Sequence, residues 1–168
     1  MHSAGNESGG HGYGSSPPLF TLVSSILAAL PESRPPVLAA GGLVTGSQVA
    51  SFLVLGAAGA VLGTRFLMTP ESLYSDVQKR ALVTAKSDMT VRTMAFDRAR
   101  GILEWPEGVD GRALYNDTVK DVESGVDIET VKEKFQGGVR EGNLDRMLVW
   151  SGMGVGLVSE IKGAEVSF

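Results

Sequence analysis

Cysteine is absent from this chain of 168 residues, which excludes disulfide bonds, thiolate metal sites and a cysteine nucleophile. Clusters of lysine and arginine are absent as well, and the net charge of −4 provides no electrostatic surface for nucleic acid. The first residues lack the basic and apolar regions of a secretory signal. We therefore expect no nucleic-acid partner, no secretory targeting and a reducing compartment such as the cytoplasm.

Charged side chains are scarce in the first part of the chain. Residues 1–70 contain only Glu7, Glu32, Arg34 and Arg65, whereas the remaining 98 residues contain 30 charged side chains. Hydrophobic residues make up 43% of the sequence, which is enough for one domain with a buried core. The first part is predicted to be interior, and the charges of the second part are predicted to form a solvated surface.

The longest stretch without charge covers residues 35–64 and is long enough for a membrane-spanning helix. Glycine pairs and a polar cluster interrupt it, which favours a strand, a helix and a second strand joined by turns. We predict strands at residues 36–40 and 60–63 that lie parallel and adjacent, with a helix at about residues 47–55 on the outer face. No membrane partner is expected.

Two further helices are indicated on either side of this stretch. Apolar residues recur at helical spacing from Leu19 to Leu30, with Ser16 as the predicted N-cap and Pro17 in the first turn. Another helix is predicted to begin at Pro70. The alternation of helices and strands implies an α/β fold with a parallel sheet.

Glycine-rich turns follow both predicted strands. Gly41 and Gly42 follow the first strand, and Gly63 and Thr64 lie at the end of the second. Parallel neighbours would bring these turns to one edge of the sheet, where backbone N–H groups and a hydroxyl suit a phosphate. The alternative is that the glycines only form tight turns, since neither of the common nucleotide-binding glycine motifs is present.

A histidine surrounded by glycines stands near the start of the chain, in NESGGHGYG at residues 6–14. An imidazole that titrates near neutrality suits a base or a hydrogen-bond partner in a reaction. By itself, however, the segment is more typical of an exposed histidine, here His11, in a flexible tail. A metal site made of His2, Glu7 and His11 is not expected, because a terminal segment does not hold ligands in place; we assign no metal.

Three segments together resemble a known family. NESGGHGYG, the segment from PPVLAAGG to GTRFLMTPES at residues 35–72, and VWSGMGVGLV at residues 149–158 are similar, in this order, to the C-terminal half of the fungal-type nitronate monooxygenases, formerly called 2-nitropropane dioxygenases. The resemblance implies part of an FMN-dependent (β/α)8 TIM barrel. It also implies that the enzyme oxidises small alkyl nitronates with dioxygen to a carbonyl compound and nitrite.

The resemblance also implies roles for particular residues. His11 corresponds to the active-site histidine near the flavin and the substrate nitro group. The FMN phosphate-binding turns correspond to Gly41, Gly42, Gly63 and Thr64. Gly152 and Gly154 belong to a glycine-rich segment that returns towards the flavin, so they are either cofactor contacts or close-packing positions. Many relatives have a polar residue where Met153 stands, which puts a side-chain hydrogen bond there in doubt.

The same resemblance divides the chain into a catalytic-type loop at residues 1–15, barrel units at 16–85 and a C-terminal extension at 86–168. Within the extension, WPEG and GVDGRAL are predicted to be surface turns. An exposed helix is predicted over residues 127–142, with its apolar side formed by Ile128, Val131, Phe135 and Val139.

The barrel is expected to be incomplete. Residues 1–5 are too short and too polar to be the strand before the histidine loop, and a closed barrel requires eight strands. The exposed barrel edges would favour poor solubility or association with a partner, and the isolated chain is expected to be inactive. Two alternatives stay open, namely another FMN-dependent barrel oxidoreductase such as an enoyl reductase-like enzyme, and a non-catalytic truncated paralogue.

Overall fold

Two three-stranded sheets organise the chain in the computed structural model, which describes residues 2–166. The strands are β1 (His2–Ala4), β2 (Gly10–Tyr13), β3 (Leu38–Ala40), β4 (Gly59–Val61), β5 (Thr90–Thr93) and β6 (Val109–Leu114). The α-helices are α1 (Leu19–Ala29), α2 (Gly46–Leu55), α3 (Thr64–Leu67), α4 (Asp76–Thr84), α5 (Ala95–Arg100), α6 (Asp117–Glu123) and α7 (Ile128–Glu141). Short 3₁₀ helices lie at Ser87–Met89, Met153–Leu157 and Ala164–Val166.

The first sheet is parallel and has the strand order β1, β3, β4. The predicted strand, helix and strand within residues 35–64 are confirmed, because β3 and β4 pair in parallel and α2 connects them. A capping box formed by Thr45 and Gln48 begins α2, and Gly56 ends it in the left-handed conformation. Among the described residues, no helix is long and apolar enough to cross a membrane.

Strand β1 contradicts the expectation that the first five residues are too short and too polar to form a strand. His2–Ala4 pair in parallel with Leu38–Ala40, and the N–H of Gly5 continues the ladder by donating to the carbonyl of Ala40 at 3.1 Å. Backbone groups make these hydrogen bonds, so polar side chains do not prevent them. The neighbouring strand therefore decides the conformation of this segment.

Helix α1 begins later than the sequence predicts, and Ser16 is not its N-cap. Pro18 occupies that position, and the carboxylate of Glu7 accepts a hydrogen bond from the N–H of Leu19 at 2.6 Å. The physical reason is that each proline restricts the residue before it to an extended conformation, which keeps Ser16 and Pro17 outside the helix. Glu7, a residue of the glycine-rich segment, thus provides the hydrogen-bond acceptor for an N–H group in the first turn of α1.

The helix predicted from Pro70 is also displaced. The short helix α3 ends before this proline, and α4 begins only at Asp76. Ser75 and Gln78 form a capping box at the start of α4, and this paired cap fixes the boundary more strongly than a proline alone.

The second sheet is antiparallel and has the strand order β2, β6, β5. The segment GVDGRAL, predicted to be a surface turn, is mostly strand β6, because it is paired on both sides and buries Gly111 and Ala113. Helix α7 confirms the helix predicted at residues 127–142, and it buries Val131 and Phe135 as predicted. Of its other two predicted apolar residues, Ile128 is partly buried against the same cluster and Val139 is exposed.

Three apolar clusters support this arrangement. One packs α1 and α2 on the first sheet around Val23, Ala39 and Phe52, and a second packs the later helices on the other sheet around Phe96 and Val131. The third lies between them and is centred on Val44, Met68, Leu82, Val149 and Val155. Since β1 and β2 are consecutive strands in different sheets, residues 5–9 cross from one sheet to the other.

Candidate active site

A cavity of about 350 Å³ lies at the carboxyl end of the parallel strands. The last residues of the three strands, Ala4, Ala40 and Val61, line its base. The sequence-predicted residues that line it are His11, Gly41, Gly42, Gly63 and Thr64. The structure therefore brings the predicted histidine and both predicted glycine turns to one cavity, where binding sites of parallel α/β sheets are expected.

The first turn requires glycine at two successive positions. Gly41 and Gly42 have φ angles of 115° and 72°, in the left-handed region that other residues rarely adopt. A Cβ atom at Gly42 would also lie 3.0 Å from the Cβ of Glu7. Within residues 2–166, the N–H groups of Gly41 and Gly42 have no hydrogen-bond partner.

The second turn presents a further pair of donors. The N–H groups of Gly63 and Thr64 are likewise without a partner in the described part of the chain, and the space beside Gly63 is open. The hydroxyl oxygen of Thr64 accepts a hydrogen bond from the N–H of Gly152 at 2.9 Å. Because this bond uses a lone pair of the oxygen, the hydroxyl hydrogen stays available for a ligand.

Gly152 and Gly154 lie behind the turns and do not line the cavity. A Cβ atom at Gly154 would overlap the carbonyl oxygen of Gly42, and one at Gly152 would lie 3.0 Å from the carbonyl oxygen of Glu7. The N–H of Met153 donates to that same carbonyl of Glu7 at 2.9 Å. In this geometry the two glycines allow close packing of their segment against the turn at Gly42 and against Glu7.

His11 lies on β2 and is held by a carboxylate from another helix. Its side chain is 15% exposed, and its Nε2 lies 3.0 Å from both carboxylate oxygens of Asp97 on α5. Asp97 is fully buried, and its nearest cation is the guanidinium of Arg100, with Nη1 at 3.9 Å. The histidine is therefore an ordered part of the cavity wall rather than a residue of a flexible tail.

Both tryptophans of the chain contact the imidazole of His11. Trp105 stacks on it with ring centroids 3.8 Å apart and an interplanar angle of 17°, and Trp150 approaches edge-on at 4.8 Å. Gly111, opposite His11 in the β2–β6 ladder, leaves the room that the indole of Trp150 fills. The segment WPEG is thus more than the predicted surface turn, because its Trp105 forms part of the site.

Two arginines fix the segment that carries Glu7 and leads into β2. The guanidinium groups of Arg92 and Arg112 both donate to the carbonyl oxygen of Asn6, at distances from 3.1 to 3.4 Å. Arg92 also pairs with Asp110 at 2.5 Å and donates to the carbonyl of Gly12. Burial lowers the pKa of Arg112, and the neighbouring charge of Arg92 lowers it further. These arginines contradict the prediction that the charges of the extension form only a solvated surface.

Sequence reasoning missed Asp97, Trp105 and Arg92 as parts of this site. Asp97 is 86 positions from His11, so no local motif links the two residues. The pairing of β2 with β6 brings them together, and that pairing was hidden because GVDGRAL carries two glycines and an aspartate. Trp150 had a signal, since it stands inside the glycine-rich segment that the sequence singled out.

Comparisons with known proteins identify a family for this chain. The profile of the nitronate monooxygenase family matches residues 2–165. The chain is 37% identical to the nitronate monooxygenase npaC of Metarhizium robertsii, over 96% of this chain and 48% of that protein. The chain thus spans about half the length of this curated relative.

Solved structures show the same fold. FabK from Thermotoga maritima superposes with a TM-score of 0.76 at 30% identity, over 99% of this chain and 50% of that one. A nitroalkane oxidase from Streptomyces ansochromogenes gives a TM-score of 0.77 at 28% identity, over 99% and 48% of the two chains. The predicted fold class is confirmed: the chain is a partial (β/α)8 barrel, and its described residues contain no closed sheet.

Proposed function

The chain belongs to the nitronate monooxygenase family, and we propose that it carries the phosphate turns and the active-site histidine of an FMN-dependent enzyme. The proposed reaction oxidises alkyl nitronates with dioxygen to a carbonyl compound and nitrite. The observation that carries the proposal is the joint presence, on one cavity, of an ordered histidine and four backbone N–H groups that find no partner among residues 2–166.

The residues present fit a flavin phosphate. The four N–H groups of Gly41, Gly42, Gly63 and Thr64, with the Thr64 hydroxyl, would donate to its oxygens. Gly152 would act indirectly, because its N–H holds the Thr64 oxygen. A bound flavin would supply the electron-transfer chemistry.

The proposed role of His11 is proton transfer and orientation of the nitro group. A neutral nitroalkane must lose its α-proton before it becomes a nitronate, and a histidine nitrogen at the cavity wall can accept that proton. Trp105 stacks on the imidazole and Trp150 packs against it, and the side chain of His11 is only 15% exposed.

The phosphate assignment is tested by comparing FMN with riboflavin, which has no phosphate. We expect the 168-residue chain to bind FMN more tightly than riboflavin, and Thr64→Val to weaken FMN binding by about 10-fold, because a hydrogen bond to a charged group is lost. Fluorescence titration of each flavin measures both affinities. Riboflavin binding should hardly change in the variant.

A matched control is Thr69→Val. Thr69 is also a buried threonine, but its hydroxyl donates to the carbonyl of Phe66 and it does not line the cavity. We expect its variant to keep the preference for FMN. Equal affinities for FMN and riboflavin in the unmodified chain, or equal losses in the two variants, would contradict the phosphate assignment.

A second candidate is another flavin-dependent barrel oxidoreductase, because the likeness to FabK is as close as that to the nitroalkane oxidase. A non-catalytic flavin-binding chain is the third. Nitrite release from a preformed alkyl nitronate separates them, since only the proposed monooxygenase produces nitrite from this substrate. Flavin binding without nitrite, in a form that includes the rest of the barrel, would favour the other two.

A further inference from the structure

A buried carboxylate outside the cavity contacts His11. Asp97 is fully buried on α5, whereas His11 lies on β2 and lines the cavity. Both oxygens of the carboxylate lie 3.0 Å from a single atom of the imidazole, Nε2. Burying a carboxylate is costly unless hydrogen bonds compensate, so this contact is an integral part of the core between β2 and α5.

The contact determines which imidazole nitrogen carries the hydrogen. A carboxylate oxygen accepts hydrogen bonds and donates none, so Nε2 must be the protonated nitrogen. In the neutral imidazole the lone pair is then on Nδ1. No hydrogen bond from the described residues reaches Nδ1.

We infer that Asp97 is a positioning residue for His11, which it fixes in the Nε2–H form so that Nδ1 is the atom that accepts the substrate proton. The inference rests on the proposed function for the meaning of that proton transfer. The tautomer itself is a property of this chain and requires neither flavin nor substrate.

The aromatic contacts support the same assignment. A half-turn of the imidazole about its bond to Cβ would move Nε2 away from the carboxylate. The stacked indole of Trp105, with ring centroids 3.8 Å apart, restricts the plane of the ring, and the indole of Trp150 packs against the ring in a T-shaped contact at 4.8 Å. The indoles thus restrict the plane of the ring, and the hydrogen bond to Asp97 selects one of the two half-turn orientations within that plane.

A purely structural role for Asp97 makes a different prediction. If the carboxylate only stabilised the packing of α5 on β2, its removal would lower the free energy of unfolding but leave the tautomer of His11 unchanged. The proton position on the imidazole is therefore the observable that separates a positioning role from a structural one.

The test is a ¹⁵N spectrum of the histidine ring in the 168-residue chain, at a pH at which the imidazole is neutral. The chain has two histidines, so His11→Asn identifies the signals of His11 by their loss. We expect one tautomer, with the hydrogen on Nε2 and that hydrogen visible as a slowly exchanging signal. A hydrogen on Nδ1 would overturn the inference without any variant of Asp97.

Asp97→Asn provides the second measurement. The amide can present its NH₂ group to Nε2 while its oxygen faces the guanidinium of Arg100, which would move the ring hydrogen to Nδ1. We expect loss of the Nε2–H signal in this variant. Because the amide oxygen could instead accept from Nε2–H, the decisive variant is Asp97→Leu, which offers no acceptor; retention of the wild-type ring spectrum in a folded Asp97→Leu variant would overturn the inference.

Asp110→Asn is the matched control. Asp110 is a partly buried carboxylate beside the same strand β2, but it pairs with Arg92 and does not contact His11. Its variant should keep the Nε2–H signal. A failure of the chain to bind FMN or to oxidise nitronates would count against the proposed function and would leave these ring spectra unaffected.

Discussion

The two sheets contribute to the cavity in different ways. The parallel sheet supplies main-chain groups, namely the N–H donors of two glycine turns at its carboxyl end. The antiparallel sheet and its helix α5 supply side chains, since His11, Asp97 and Trp105 belong to it or to its connections. Main-chain donors suit a fixed anionic group, whereas side chains that can exchange protons suit the reacting part of a substrate.

The largest expected effect concerns the side chains that the antiparallel sheet contributes to the cavity. In a form that includes the rest of the barrel, we expect His11→Asn to lower turnover of neutral nitroalkanes by about 10²–10⁴-fold, the usual contribution of a general base. Turnover of a preformed nitronate should fall far less, because no α-proton is removed. Parallel assays of nitrite release with both substrates measure this difference, and equal losses would rule out the base role.

The next effect concerns the contact between the two regions. Gly154→Ala places a Cβ atom on the carbonyl oxygen of Gly42, so we expect a loss of about 3 kcal/mol in the free energy of unfolding. Urea unfolding measures it. Gly46→Ala is the control, because a Cβ atom there meets nothing within 4 Å, and its stability should hardly change. A stable Gly154→Ala variant would show that the segment does not pack on the turn.

A second contact between the regions predicts a pH dependence. The hydroxyl of Tyr74 accepts a hydrogen bond from the N–H of Trp150 at 3.0 Å, and burial raises the pKa of Tyr74 to about 12. Between the unfolded pKa of about 10 and the folded one, the unfolded chain binds fewer protons, so stability falls as pH rises. The expected loss is about 2 kcal/mol across this window.

Thermal unfolding at pH 9 and pH 12 measures this loss. Tyr74→Phe removes the titrating hydroxyl and should flatten this part of the pH profile, although it also leaves the N–H of Trp150 without its acceptor. An unchanged alkaline slope in the variant would show that another group is responsible.

The smallest expected effect concerns the aromatic cover of the histidine. Trp105→Leu removes a stacked ring from a partly exposed loop, so we expect a loss of about 1 kcal/mol in stability. Leu103→Ala on the same loop is the control, because Leu103 is exposed and its variant should lose less. If both variants lose the same stability, the stacking of Trp105 on His11 does not contribute to the free energy of unfolding.

The sequence by itself determined the parts whose signals are local. The strand, helix and strand within residues 35–64, and the glycines at 41 and 42, follow from short apolar runs and from backbone conformations that favour glycine. The resemblance added the family and His11. The predicted starts of α1 and α4 were wrong, because Pro18 and the carboxylate of Glu7 begin α1 and the Ser75 capping box begins α4.

Only the tertiary structure decided the surroundings of the histidine. Residues 2–4 become a strand because β3 provides partners, and GVDGRAL becomes a strand because β2 and β5 pair with it on either side. That pairing brings Asp97 to His11 across 86 positions and places Trp105 on its ring. Such contacts leave no periodic or local signal, because they depend on which strands pair rather than on the residues that flank each position.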